Sequence, residues 1–334
     1  MLCCVQYTFL WRSKSVTYTF TMNNQLISKQ NRSFVRLKKE ANKSKYLLLM
    51  IIPAVVYYIV FCYIPMYGIL IAFKEYYPKL GISGSPWTLD NFRYIFGDED
   101  FWRVLRNTVI IGFAKIIISF FSALIVALLL NEIRMRFFKK AVQTIVTFPH
   151  FLSWVVVGGF VLNLFGRTGA VNDLISLAGG ERIDFLSDGK FFLTLLFSSD
   201  VWKEAGWSSI IYLATMAGIS PELYEAADID GASRIQKVFN ITLPAIKPTA
   251  ILLLILSVGG ILSAGFDQIY NLYNPLVYDV SDILDTYIYR KTLYEGGLTA
   301  GEGTAIGLFK SVVSFLLVIS VDRIAKLCGE RGVI

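Results

Sequence analysis

Charge is scarce in this chain, and histidine is scarcer. Asp, Glu, Lys and Arg make up 17% of the 334 residues, against 55% hydrophobic and 15% aromatic residues. A soluble domain of this size carries about 25% charged residues to cover its surface, so the composition excludes one and points to a membrane protein. The one histidine, His150, excludes a histidine-based triad, a two-histidine zinc site and a two-histidine relay. Following Pro149 inside an apolar segment, it reads as a packed kink rather than a proton site. Four cysteines, Cys3, Cys4, Cys62 and Cys328, stand at no metal or redox spacing. A phosphate-binding loop is missing too. The run Gly296 to Thr304 is rich in glycine, but Glu302 stands where such a loop needs lysine, so this chain has no means of hydrolysing ATP by itself.

Long apolar runs are what the chain has instead. Six of them, near 46–73, 107–130, 141–165, 192–218, 248–268 and 304–324, reach the roughly 20 helical residues that cross a hydrocarbon core. The expected fold is all-α, a polytopic membrane protein with six transmembrane helices. Residues 1–45 carry nine Lys or Arg against the single acid Glu40, a basic tail. The apolar stretch before Arg12 is too short to span and lacks the basic start of a secretory signal, so no cleavage is expected, and Met22 is an alternative start.

Charge also sets an orientation. The tail, 131–140, 221–247 and 322–334 together hold 19 basic residues, against 10 in 74–106, 166–190 and 266–302, where 15 acids lie. The positive-inside rule then puts both termini and the 221–247 loop in the cytoplasm of a cell-membrane protein. The net charge of +7 sits beside membrane segments, which is not the footprint of a nucleic-acid binder.

The 220–244 loop is a polar island between apolar segments. Ser220 followed by Pro221 reads as an N-cap with proline at the first helical position, and Glu222 and Glu225 suit the positive end of that helix. Asp230-Gly231 supplies a corner, and 232–239 forms a second short helix expected to stop before Pro244. Glu225-Ala226-Ala227, three residues, Gly231, nine residues, then Ile241-Thr242-Leu243-Pro244 resembles the EAA loop of type I ABC importer permeases. Seven fixed residues over 20 positions make the match specific: Glu225, Ala226, Ala227, Gly231, Ile241, Leu243 and Pro244. The resemblance covers about 104–324, the transport domain, with a first helix at 46–73 added before it and a cytoplasmic tail at 325–334 after it.

What the resemblance implies goes further. The loop would dock its first helix in a groove of a separate ATPase, which binds and hydrolyses the ATP, so the chain itself needs no cofactor and is not an enzyme. The expected assembly has two ATP-binding subunits, a second homologous permease forming a heterodimer, and an extracytoplasmic solute-binding protein, in a lipid bilayer and without nucleic acid. Within the family, the aromatic outer segments, Phe266-Asp267-Gln268, Trp202 and Trp207 are most similar to permeases for sugars and oligosaccharides; a non-sugar cargo is the alternative.

Two other classes compete. An ion-coupled secondary transporter would have no use for the EAA pattern, and an intramembrane enzyme would need a catalytic set that this chain lacks. For the solute path, helix-rise counting from the loop places Trp207 past mid-membrane as a stacking platform. Lys203, Glu204, Ser257, Ser263, Asp267 and Gln268 are its expected polar contacts. Asp200, Lys203 and Glu204 with Lys115 and Lys310 are expected to form one charge-balanced network, against local pairing and snorkelling.

Overall fold

The computed structural model describes residues 44–327. The tails expected over 1–45 and 325–334 lie wholly or largely outside the described residues, as do Met22, Cys3, Cys4 and Cys328. Among the described residues the chain is helical, with one isolated bridge between Lys74 and Trp87. It divides into two units, Met1–Gly68 and Ile69–Ile334.

In the first unit, helix α1 (Lys45–Tyr58) runs on through a π turn, Ile59–Tyr63, into a 3-10 run, Ile64–Phe73, that ends in the second unit. Apolar residues face every direction, and Met50 and Phe61 are 77% and 65% exposed. A helix of this length that is apolar all round is suited to crossing a membrane.

The second unit holds α2 (Asp90–Gly97), α3 (Glu99–Glu132), α4 (Arg136–Thr147), α5 (Trp154–Phe165), α6 (Ala170–Leu177) and α7 (Gly189–Ala217). The loop helices α8 (Pro221–Ile229) and α9 (Arg234–Lys237) follow, then α10 (Leu243–Val258), α11 (Phe266–Leu272), α12 (Tyr278–Ser281), α13 (Leu284–Leu293) and α14 (Ala300–Leu327). Helix α3 is the spine. Its first turns pack Phe101 and Val104 against Leu284, Tyr287 and Ile306, and its middle packs Ile111 near Leu196 and Ile269. Its last turns pack Ala123 and Ala127 against Tyr212, Met216 and Ile246. Small residues permit the closest crossings: a Cβ at Gly206 of α7 would overlap the Val146 carbonyl of α4.

Among the described residues, five stretches are long and apolar enough to cross a membrane: Leu48–Phe73, Glu99–Glu132, Trp154–Leu177, Arg234–Val258 and Ala300–Leu327. The expected fourth span, 192–218, is α7, which has the length but carries Asp200, Lys203 and Glu204 through its middle. Two other expected spans are not continuous helices. The 141–165 segment breaks between α4 and α5, where Phe148–Phe151 is a 3-10 turn and Leu152 is extended; Ser153 caps α5 by accepting the Val156 N–H at 3.3 Å. The 248–268 segment ends its helix at Val258. Ala264 and Gly265 then take φ values of +44° and +86° before α11 starts, and the missing Cβ at Gly265 makes its conformation accessible.

The stop expected before Pro244 does not occur. Proline's ring collides with the carbonyl four residues back in an α-helix. Here the helix widens to a π turn, Val238–Thr242, with the Leu243 N–H bonded to the Val238 carbonyl, and α10 continues through Pro244.

Candidate functional site

Two features stand out at different depths of the bundle. The first is the loop. Helix α8 starts at Pro221 as expected, although Ser220 occupies the N-cap position without a side-chain cap bond. Gly231 turns the chain with φ +72°, a conformation costly for any residue with a Cβ. Ser233 then opens α9 with a capping box, its hydroxyl accepting the Gln236 N–H while the Gln236 side chain accepts the Ser233 N–H at 2.7 Å. The Tyr224 and Thr242 hydroxyls lie 2.8 Å apart, and Lys237 pairs with Asp228, so α8 is fastened to the π turn. Its opposite side is bare: Leu223 and Ile229 are 53% and 87% exposed, and Glu225 is exposed between them.

The second feature is a cavity of about 520 Å³ between α3, α7 and α10, lined by Lys115, Ser119, Phe120, Trp207, Tyr212 and Ser257 among others. Lys115 forms an ion pair with Asp200 (Nζ to Oδ1, 3.3 Å) and donates to the Gln268 side-chain carbonyl. Ser119 donates to the other Asp200 oxygen at 3.1 Å. Gln268 is wholly buried, its amide donating to the Leu196 carbonyl (2.7 Å) and to the Ser199 hydroxyl (2.9 Å). These bonds tie α3, α7 and α11 together at the cavity's edge.

One turn further along α7 a second cluster closes the break between α4 and α5. The break frees the His150 carbonyl, and backbone groups at membrane depth need partners. Lys203 supplies one, donating to that carbonyl at 2.7 Å and to Glu204 at 3.1 Å, with its ammonium over the Trp154 ring. The His150 imidazole meets the other Glu204 oxygen at 2.7 Å. Pro149-His150 is thus a kink, and one held by a built polar cluster.

Trp207 and Ser257 therefore lie on the cavity wall. Lys203 and Glu204 lie outside its lining, in the clamp on the break; Ser263 and Asp267 are exposed, and Gln268 is behind the wall. The expected single network of five charges is three separate groups: Lys115 with Asp200, Lys203 with Glu204 and His150, and Lys310 with Asp285 at 2.6 Å. Helical spacing puts Asp200, Lys203 and Glu204 on one face, but which neighbour each one meets depends on how α3, α4 and α14 are rotated. Sequence reasoning missed Ser119 and Tyr212 on the wall. A hydroxyl one turn from Lys115 was the only signal for Ser119.

Toward the far end of α3, the 273–295 segment is locked down. Asn107 donates to the Asp279 carbonyl (2.8 Å), Thr108 accepts the Leu284 N–H (2.9 Å) and Tyr287 donates to Asp98 (2.6 Å). Arg290 pairs with the fully buried Asp282 and with Glu295 at 2.6 Å. Burial pushes the Asp282 carboxyl above the ordinary carboxylate range, with Thr286 and Arg290 pulling against it.

Known proteins resemble this chain along most of its length. Residues 115–331 match the family model described as the binding-protein-dependent transport system inner membrane component. The polygalacturonan/rhamnogalacturonan transport system permease protein YteP of Bacillus subtilis (strain 168) is 44% identical over 89% of this chain and 93% of its own. Protein LplB of the same organism is 43% identical over 87% of this chain and 91% of its own. Among solved structures, a chain of a bacterial alginate ABC transporter in complex with an alginate pentasaccharide-bound periplasmic protein superposes with a TM-score of 0.81. It is 37% identical and covers 89% of this chain and 100% of that one.

Proposed function

The chain belongs to the family of binding-protein-dependent transport system inner membrane components, and on that premise we propose how it works: as the membrane-spanning permease of an ATP-driven sugar or oligosaccharide importer. It is a multi-pass protein of the cell membrane. The polygalacturonan/rhamnogalacturonan transport named for YteP supports the cargo class, and the alginate transporter's complex with its periplasmic protein supports delivery by a solute-binding protein. A second permease and two ATPase subunits complete the assembly. The transport domain is taken as 104–324, with both chain ends and α8 on the cytoplasmic side.

The observation that carries this reading is α8. A nine-residue helix held by its own loop, with Leu223 and Ile229 uncovered around Glu225 and a glycine corner behind it, has the form of a plug for another protein's groove. Glu225, Ala226, Ala227 and Gly231 form that plug, with Ile241, Leu243 and Pro244 in the π turn and the start of α10 as its lever. Movement of the ATPases then reaches α7 and α10, which flank the loop and border the cavity. In the cavity, Trp207 offers a ring face and Ser257 a hydroxyl, groups that suit a sugar's apolar face and hydroxyl rim. Lys203, Glu204 and Gln268 act from behind the wall by holding it, and Ser263 and Asp267 act beyond the cavity.

Gly231→Asp tests the reading, because a side chain at φ +72° strains the corner and adds a charge at the docking face. Expected is loss of uptake and of ATPase co-purification, with the permease at normal level in the membrane. Uptake and co-purification equal to wild type would overturn the assignment.

A further inference from the structure

A smaller cavity, of about 230 Å³, lies where the linker after α3 meets the 220–244 loop. Glu132 and Arg134 line it from the end of α3 and the linker, and Arg234 and Lys237 line it from α9. Its wall also includes Tyr224 and Thr242, the hydroxyl pair that fastens α8 to the π turn, so it is behind α8 and not on the bare docking side. Three cations face one acid, an excess of two positive charges. Lys237 is engaged with Asp228. Arg134 and Arg234 are exposed and, among the described residues, neither side chain makes a hydrogen bond or an ion pair, so the five N–H donors of each guanidinium are free. Glu132 lines the same space yet pairs with neither arginine. No hydrogen bond or ion pair among the described residues joins 131–135 to the loop.

We propose that this cavity binds a phosphate group between Arg134 and Arg234, carried by an anionic lipid headgroup or by a soluble phosphate ester. A planar guanidinium fork takes phosphate oxygens two at a time, and such charge-assisted bonds are about twice as strong as neutral ones. The tetrahedral oxygens of phosphate can meet two forks that come from different elements, whereas the two oxygens of a carboxylate share one plane and serve one fork. The charge also fits, because an excess of two positive charges is balanced by a group that carries one or two negative ones. Two guanidiniums facing one cavity repel each other, and a phosphate between them replaces that repulsion with two attractions. Met135 and Phe137, beside Arg134 in the chain, are 70% and 87% exposed and offer the apolar contact that a lipid tail uses. A soluble ester needs the cavity alone. From either source, the phosphate joins the end of α3 to α9, and so couples the loop to the bundle through a ligand.

The test uses the full-length chain in a non-ionic detergent. Calorimetric titration compares glycerol 3-phosphate with glycerol, and native mass spectrometry compares retention of phosphatidylglycerol with that of diacylglycerol. Wild type should prefer the phosphate-bearing member of at least one pair: the first pair identifies a soluble source, the second a lipid source. Arg134→Gln and Arg234→Gln should each weaken the binding that is seen by about tenfold, and Glu132→Gln should strengthen it. Arg136→Gln is the control, since Arg136 is exposed in the same basic stretch but is outside the lining. Weakening by Arg136→Gln equal to that by Arg134→Gln and Arg234→Gln, which a diffuse basic surface predicts, overturns the proposal. So does a wild type that shows no preference for phosphate in either pair, a comparison that needs no variant to fold.

Discussion

His150 and Trp207 lie face to face, their ring centroids 4.4 Å apart and their planes 2° from parallel. Phe151 meets the same indole edge-on at 5.7 Å. One face of the tryptophan is thus backed by groups from the break between α4 and α5, while the residue still lines the cavity. A backed indole is a rigid platform, since its rotamer is fixed before any ligand arrives. Aromatic stacking contributes up to about 1.5 kcal/mol, roughly a tenfold change in affinity. Trp207→Ala should therefore raise the apparent KM for uptake up to about tenfold with a smaller change in maximal rate. An unchanged KM would return Trp207 to a packing role.

The Lys203 clamp makes a stability prediction. Its side chain is 6% exposed, and its ammonium holds both the His150 carbonyl and Glu204. Removing one partner of a buried pair costs about 3–5 kcal/mol, and the lower end applies here because Glu204 keeps 28% exposure and its imidazole bond. Lys203→Met should lower the thermal midpoint of the detergent-solubilised permease, and adding Glu204→Gln should recover part of the loss. A midpoint equal to wild type would show that the clamp does not hold the break.

Much of this architecture was legible in the chain because the signals were local. Proline after serine started α8, Gly231 made the corner, and apolar runs marked where α1, α3, α7 and α14 pass. The failures have two causes: local backbone adjustments that residue type does not announce, and partners distant in sequence. Pro244 does not end a helix because the backbone widens at Val238–Thr242. The helix entering 259–265 is broken by conformations at Ala264 and Gly265 that a run of apolar residues does not announce. The five charges fell into three groups because Lys310 faces Asp285 and Glu204 faces His150, pairings set by helix rotation. Trp207 and Ser257 were placed on the path by counting rise along a helix, which needs no knowledge of rotation; Lys203 and Glu204 were not separable from them that way.

Orientation is open to a direct check. Ser176 and Leu276 are exposed in segments expected on the outer side, and Ile235, 70% exposed, is in the 221–247 loop. Leu276 is 74% exposed, whereas nearby Asn274 is tied by its side chain to the Leu186 carbonyl. Cysteines at 176 and 276 should react with an impermeant maleimide in intact cells, and one at 235 only after permeabilisation. The reverse pattern would invert the topology argued from the 19-to-10 basic bias.

The last prediction concerns the Arg290 lock on the 273–295 segment. Asp282 is fully buried, and its partners are the Thr286 hydroxyl at 2.7 Å and the Arg290 guanidinium, which also holds Glu295 and lies over the Tyr278 ring. Burial already pushes the Asp282 carboxyl up, and Arg290 is one of three groups opposing that push, with Thr286 and Arg103. Arg290→Met fills similar space but leaves an ionised carboxylate without its counter-ion, so at neutral pH it should cost about 3–5 kcal/mol. The sign with pH follows. In the variant the carboxyl moves further up, so as pH falls through its raised value Asp282 takes a proton, the unpaired charge disappears and the deficit against wild type shrinks. Thermal midpoints of both proteins across the acid-to-neutral range should therefore lie furthest apart at neutral pH and converge toward acid, and Asp282→Asn in the Arg290→Met background should reduce the pH dependence of the gap to the part that comes from Glu295, whose carboxyl Arg290 also holds low. A gap that stays constant with pH would mean that Arg290 stabilises the segment through its packing on Tyr278 rather than through Asp282.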